Sequence, residues 1–313
     1  MLQRFPIIVG PTAGGKSSLA VQVGLLLRAG GRAAEIVTAD SMQVFRGLDI
    51  GTAKPTDEER GGLPHHLIDI AEPRDSFSVE RWLSRAEGCI DRIREGGSVP
   101  IVVGGTHFYV KALLEGLFEG PGSDEGLRAE LAALPASALR AELERIDTAS
   151  ARRLHANDLR RTIRAIEVFR LTGKPLSEHQ SQWDRGGVRS DALLVGLEWS
   201  TEAINRRINA RVKSMIERGL VEEARGLWSA GAFGPQSREA LGYKQLIEHF
   251  EGRSSLDEAI ERIKIETRRF ARNQRTWLRR LRTVPDAEWV RVEGDDVEGT
   301  IRRAAERVVK RLT

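Results

Sequence analysis

Residues 10–17 read Gly10-Pro11-Thr12-Ala13-Gly14-Gly15-Lys16-Ser17, which fits G-x-x-x-x-G-K-[ST] between an apolar run and a helical pattern. Glycines at this spacing let backbone N–H groups turn inward around an anion, and the N-terminus of the next helix adds partial positive charge. Lys16 brings a full charge, and the Ser17 hydroxyl can join the shell of a Mg²⁺ ion. The chemistry expected is phosphate binding. The motif does not specify ATP. A nucleotide hydrolase carries a second apolar strand that ends in a magnesium-holding acid. Here VPIVVGG (99–105) ends in Gly104 and Gly105, whereas AEIVTAD (34–40) ends in Asp40, followed by Ser41 and Gln43. An Asp at the carboxyl end of a parallel strand, beside a phosphate loop, sits where open α/β sheets place ligands.

The elements that must hold these residues are legible as alternation. FPIIVG (5–10) reads as a buried strand and residues 16–28 as a helix; 34–40 is a second strand, 79–95 a helix, and 99–105 another strand. This order predicts an α/β fold, a P-loop-containing parallel sheet flanked by helices. After Gly116 the composition shifts. EGPGSDEG (119–126) reads as a linker, and the Arg- and Ala-rich stretch after it carries no strand signal. An all-helical insertion domain over 120–187 is therefore expected, within a core formed by 1–119 and 188–313. DALLVGLEW (191–199) resumes the sheet, with a last strand near 287–292 and a closing helix to Arg311.

Length and composition bound the rest. The chain has 313 residues, 40% hydrophobic and 30% charged, so a folded globular protein is expected rather than disorder. No apolar run approaches the roughly 18 residues that span a bilayer. The chain enters an apolar strand within five residues, leaving no room for a secretory signal, so a cytoplasmic protein is expected. The single cysteine, Cys89, excludes an intramolecular disulfide, and the six histidines show no metal-ligand spacing. His65 and His66 are expected in a turn or a hydrogen-bond network.

Net charge is only +4, but its distribution is uneven: nine Lys/Arg against Glu266 lie between Arg262 and Arg282. At 100° per residue Lys264, Arg268, Arg272, Arg275, Arg279 and Arg282 share roughly an 80° arc, with Ile263, Phe270, Trp277 and Leu281 opposite. A helix that packs one face and offers guanidiniums on the other suits a polyanion such as an RNA backbone.

Together GPTAGGKS, DSMQVFRGLDIGTAKP (40–55), PHHLID (64–69) and VGGTHFYVKALLEGL (103–117) closely resemble the bacterial tRNA dimethylallyltransferases, or tRNA isopentenyltransferases. The resemblance continues through HANDLRRTIRAIEV (155–168), RINARV (207–212), ALGYKQ (240–245) and ETRRFARNQRTWLRR (266–280). It implies transfer of a five-carbon prenyl group from dimethylallyl diphosphate to N6 of adenosine 37 in the tRNA anticodon stem-loop. The phosphates would then be a diphosphate leaving group, with Mg²⁺ as cofactor near Ser17 and no need for ATP. By resemblance Asp40 is the general base, with Thr106 bonding nearby and Thr12 near the reacting end; Lys16 and Arg211 stabilise the leaving charge. The tRNA contacts implied are Asp40, Ser41, Met42, Gln43, Thr106, Arg128, Arg160, Arg161, Arg164, Tyr243, Lys244, Arg268, Arg272, Gln274, Arg275 and Arg279.

The target amine must reach a pocket, so base flipping is expected. His107, Tyr109 and Tyr243 are candidates to stack on bases, while Phe108 is expected in the core. Departures from the family pattern are Phe45 for a frequent Tyr, Ala156 for a frequent Pro, and Asn273 for a basic residue. A monomer is expected. Competing readings are a prenyltransferase acting on free adenine nucleotides, a small-molecule P-loop kinase, and a nucleotide-switched RNA-binding protein. The helical insertion and the Arg-lined helix weigh against the first, since a mononucleotide needs neither.

Overall fold

The computed structural model describes residues 4–117, 120–181, 188–293 and 296–312. Two compact units form, Met1–Leu114 with Arg189–Thr313, and Glu115–Val188. The boundary residues expected at 119 and 187 lie outside those described.

In the first unit β1 (Phe5–Val9), β2 (Ala34–Thr38), β3 (His65–His66), β4 (Val99–Gly104), β5 (Ala192–Trp199) and β6 (Glu288–Val292) form one sheet. Its order is β3-β2-β4-β1-β5-β6, and every pairing is parallel. β1 and β4 are buried at every position. That is why both read as unbroken apolar runs rather than as alternation. The edge strand β3 was not legible, being two polar residues long. Its backbone pairs with Ile36 and Val37 of β2. His66 Nε2 meets the Glu35 carboxylate at 2.7 Å, and His65 Nδ1 donates to the Leu63 carbonyl at 2.9 Å.

Four helices precede or lead into the second unit: α1 (Lys16–Ala29), α2 (Asp57–Arg60), α3 (Val79–Glu95) and α4 (His107–Glu115). Within it follow α5 (Glu125–Ala132), α6 (Ala136–Ile146), α7 (Thr148–Arg153), α8 (Leu159–Thr172) and α9 (Leu176–Ser181). The first unit then resumes with α10 (Thr201–Glu217), α11 (Leu220–Ser229), α12 (Tyr243–Phe250), α13 (Leu256–Leu281) and α14 (Val297–Leu312). Where the chain leaves and re-enters this unit, Arg189 N donates to Leu114 O at 2.8 Å.

The second unit has its own core of Leu131, Leu139, Leu143, Ala151, Leu154, Ala165, Ile166, Val168 and Leu176. Asp147 caps α7 through Ser150 N and also accepts from Ser177 N, both at 2.9 Å. One buried carboxylate thereby ties the start of α7 to α9.

The basic helix α13 is longer than its charge run. It begins at a capping box in which Ser255 accepts from Glu258 N and Glu258 accepts from Ser255 N. Its buried positions are Ala259, Ile263, Ala271, Gln274, Leu278 and Leu281. Phe270, expected on the packed side, is 42% exposed. No helix among the described residues is long and apolar enough to cross a membrane.

Candidate active site

Sheet order decides which loops meet. β2, β4 and β1 are neighbours, and their last residues are in register, Thr38 with Val103 and Gly104 with Val9. The phosphate loop, the Asp40 turn and the Thr106 turn therefore leave the carboxyl end of the sheet side by side. Gly104, the last residue of β4, makes this approach possible. A Cβ at Gly104 would lie 2.0 Å from the Ala39 carbonyl oxygen, so no side chain fits there.

Between β1 and α1 the loop carbonyls are engaged by side chains. Trp199 Nε1 donates to Gly14 O at 3.0 Å, Arg207 Nε to Ala13 O at 2.9 Å, and Lys16 Nζ to Pro11 O at 2.8 Å. Gly15 enters α1 at φ +84°, a left-handed conformation costly for any side chain. The N–H groups of Ala13, Gly15, Lys16 and Ser17 have no acceptor among the described residues. They form an anion nest at the positive end of a helix. Sequence reasoning missed Trp199 and Arg207, which stack at 4.9 Å. Arg207 opens the RINARV stretch, but a bond to a loop carbonyl leaves no spacing signature.

Asp40 Oδ1 accepts from Met42 N at 2.9 Å and from Gln43 N at 3.3 Å, so the carboxylate shapes its own turn. Oδ2 has no donor among the described residues. Thr106 bonds Ser41 rather than Asp40. Its Oγ1 accepts from Ser41 N at 2.9 Å and contacts Ser41 Oγ at 3.2 Å. The Gln43 side chain is also fixed, Nε2 donating to the Thr52 and Ala53 carbonyls at 3.0 and 3.2 Å.

These groups share a cleft of about 80 Å³ lined by Thr12, Lys16, Ser17, Asp40, Gln43 and Arg211, with Ile36, Val103 and Pro55 as apolar wall. Burial, with Arg211 nearby, lowers the Lys16 ammonium to a pKa of about 8, and Asp40 opposes the shift. Burial likewise holds Arg211 below its ordinary range, again against the pull of Asp40. Two cations are thus poorly solvated in one cleft. Among the described residues no three His, Cys, Asp or Glu side chains gather as a metal nest.

Several residues expected at the RNA are placed inside the protein instead. Gln274 is buried, its Oε1 accepting from Thr12 N at 2.7 Å and its Nε2 donating to Gly105 O at 3.1 Å. Both ends of its amide are used to join the loops after β1 and β4. Tyr243 is wholly buried, so its ring cannot stack on a base. Tyr109 stacks on Trp82 at 4.6 Å, and His107 on Trp277 at 6.0 Å. Burial and the Lys16 charge push the His107 imidazole down to about 4, keeping it neutral. Phe108, expected in the core, is 45% exposed.

In the second unit Arg128 and Arg164 both clamp the buried carboxylate of Glu167, at 2.9 Å and 2.6 Å. Arg164 also donates to the Pro121 and Gly122 carbonyls, at 2.8 and 3.2 Å. Burial works to raise the Glu167 pKa, but the bonds from Arg128 and Arg164 outweigh it and hold the group ionised. Their charges are spent on an internal anion. Arg160 and Arg161 on the same helix are exposed.

On α13, Arg272 and Arg279 are exposed and have no partner among the described residues, whereas Arg268 donates to Asn209 Oδ1 at 2.6 Å and Arg275 to Thr201 Oγ1. Lys244 pairs with Glu239 at 2.7 Å.

The sequence profile described as IPP transferase matches residues 43–281, well over half of the chain. The chain belongs to the IPP transferase family. It is 45% identical over 287 residues to a tRNA dimethylallyltransferase of Geobacillus kaustophilus, covering 89% of this chain and 88% of that one. A tRNA dimethylallyltransferase of Anaeromyxobacter dehalogenans is 43% identical, with 97% of each chain covered. The crystal structure of a tRNA isopentenylpyrophosphate transferase from Bacillus halodurans matches at TM-score 0.71 and 37% identity, covering 99% of this chain and 97% of that one. A eukaryotic dimethylallyltransferase acting on tRNA matches at TM-score 0.82 and 26% identity, over 98% of this chain and 78% of that one.

Proposed function

We propose that this chain transfers a dimethylallyl group from dimethylallyl diphosphate to N6 of adenosine 37 in the tRNA anticodon loop, releasing diphosphate. The observation that carries this reading is one cleft with an anion nest, two desolvated cations and a carboxylate oxygen awaiting a donor. A leaving diphosphate and an incoming amine need that combination. The apolar wall of Ile36, Val103 and Pro55 suits a five-carbon tail.

The adenine amine is a weak nucleophile because its lone pair is delocalised into the ring. Asp40 acts as general base, Oδ2 taking the amine proton as the C–N bond forms. On the donor the allylic C–O bond breaks, and its electron pair leaves with the diphosphate. Lys16, Arg211 and the loop N–H groups stabilise that charge as it develops, and Thr12 stands beside the reacting end. The Ser17 hydroxyl at the start of α1 suits a hard cation that keeps most of its waters, so Ser17 is the residue that would hold Mg²⁺. When bound, the ion neutralises leaving-group charge.

For tRNA, the reading assigns Ser41, Met42 and Gln43 to the flipped adenosine and its neighbours. Arg272 and Arg279 on α13, with Arg160 and Arg161 on α8, serve the phosphate backbone. The test is incubation with labelled dimethylallyl diphosphate and unmodified tRNA, without ATP. Label on N6 of adenosine 37 is expected. A requirement for ATP, or tRNA-stimulated ATP hydrolysis at rates comparable with transfer, would reject the reading.

A further inference from the structure

The Asp40–Gln43 turn is held from a distance by residues that no step above uses. Glu223 on α11 points its carboxylate into the backbone of residues 49–51. It accepts from Asp49 N at 3.2 Å, from Ile50 N at 2.9 Å and from Gly51 N at 3.3 Å. Three successive N–H groups around one carboxylate form a nest, and bonds to an ionised acceptor are the strong kind. Tyr243, at the start of α12, completes the arrangement. Its hydroxyl donates to Glu223 Oε1 and accepts from Gly51 N at 3.1 Å. Its ring lies directly on the loop, since a Cβ at Gly51 would be 2.4 Å from a ring carbon. The buried Lys54 anchors the end of the loop, donating to Phe45 O and to Asp49, both at 2.6 Å, and also to Asp69.

What this loop holds is the Gln43 carboxamide. The Thr52 and Ala53 carbonyls can only accept, so the end of the amide that meets both must be Nε2. Both its hydrogens are engaged, and Oε1 has no donor among the described residues. Gln43 therefore offers the cleft an acceptor and not a donor. We propose that Glu223 and Tyr243 are positioning residues that act through the 49–53 backbone to fix the Gln43 amide, acceptor outward, for an N–H donor on an RNA base. The proposal rests on the reading of residues 41–43 as the RNA-recognising turn.

The test is a double-mutant cycle read as separate KM values for tRNA and for dimethylallyl diphosphate. Glu223→Gln puts N–H groups against N–H groups, and the milder Tyr243→Phe removes one hydroxyl while keeping the ring. Each should raise the KM for tRNA, about tenfold for Glu223→Gln, as expected when a charge-assisted hydrogen bond is removed. The KM for the donor should stay near the parent value. In a Gln43→Ala background neither substitution should raise the tRNA KM further, because the group they position is gone. If Gln43→Ala raises the tRNA KM and Glu223→Gln or Tyr243→Phe adds its full effect on top, or if both KM values rise together, the clamp is merely structural and the proposal falls. If Gln43→Ala alone leaves the tRNA KM unchanged, the reading of the turn falls, and the proposal with it.

Discussion

Gln274 on α13 accepts a hydrogen bond from the backbone N–H of Thr12 at 2.7 Å, so the basic helix holds the phosphate loop by a buried side chain. Gln274→Ala leaves Gly105 O without a partner in a buried setting, at a cost of about 1–3 kcal/mol, and frees the half-buried Thr12 N at the cleft wall. We expect kcat/KM for the donor to fall about 10–100-fold, on that same energy scale. Affinity for tRNA and its salt dependence should stay near the parent values. Donor titration under single-turnover conditions, beside tRNA binding at several salt concentrations, checks both halves.

Asp40 combines two tasks that substitution can separate. Asp40→Asn keeps an oxygen able to accept from Met42 N and Gln43 N, but no longer takes a proton. The saturated single-turnover rate should fall about 10²–10⁴-fold, the usual range for a positioned base. Affinity for tRNA should change little. A rate within threefold of the parent would remove Asp40 from the chemistry.

Lys16 sets a pH dependence. Its folded pKa of about 8 lies below the ordinary 10.5 because burial, then Arg211, disfavour the ammonium. Between those values the unfolded chain holds a proton that the folded chain has released. The contribution of Lys16 to stability therefore rises with pH across that window. Donor binding needs the ammonium and moves the opposite way, weakening above about pH 8. At pH 8.5 inorganic diphosphate should bind with uptake of a fraction of a proton, seen by calorimetry in buffers of different ionisation enthalpy. Lys16→Met should abolish that uptake.

Arg272 and Arg279 are the sharper probes of the α13 surface, because Arg268 and Arg275 already have protein partners. Arg272→Ala with Arg279→Ala should weaken tRNA binding and reduce the slope of log affinity against log salt by about 0.7–0.9 for each phosphate no longer neutralised. The transfer rate at saturating tRNA should hold. Arg211→Ala should do the reverse, slowing the saturated step because its charge meets the leaving diphosphate. An unchanged salt slope in the double variant would mean that this face is simply solvated.

Features that depend on neighbouring residues and on period were legible in the chain before any fold was known. The phosphate loop, the buried runs of β1 and β4, Asp40 two residues past β2 and the helix over 79–95 are all short-range patterns. So is the basic arc of α13. Which polar groups had partners left to find was settled in three dimensions alone. Thr12 and Gln274 are 262 residues apart, and nothing in either neighbourhood announces their bond. The same holds for Trp199 on Gly14, and for Tyr243 and Glu223 on the 49–51 backbone. Arg128 and Arg164 look like RNA ligands until Glu167 is seen buried between them. A charged or aromatic side chain in a sequence carries only its capacity to bond. Burial withdraws water from it, and the unpaired group it then meets in the fold claims the bond.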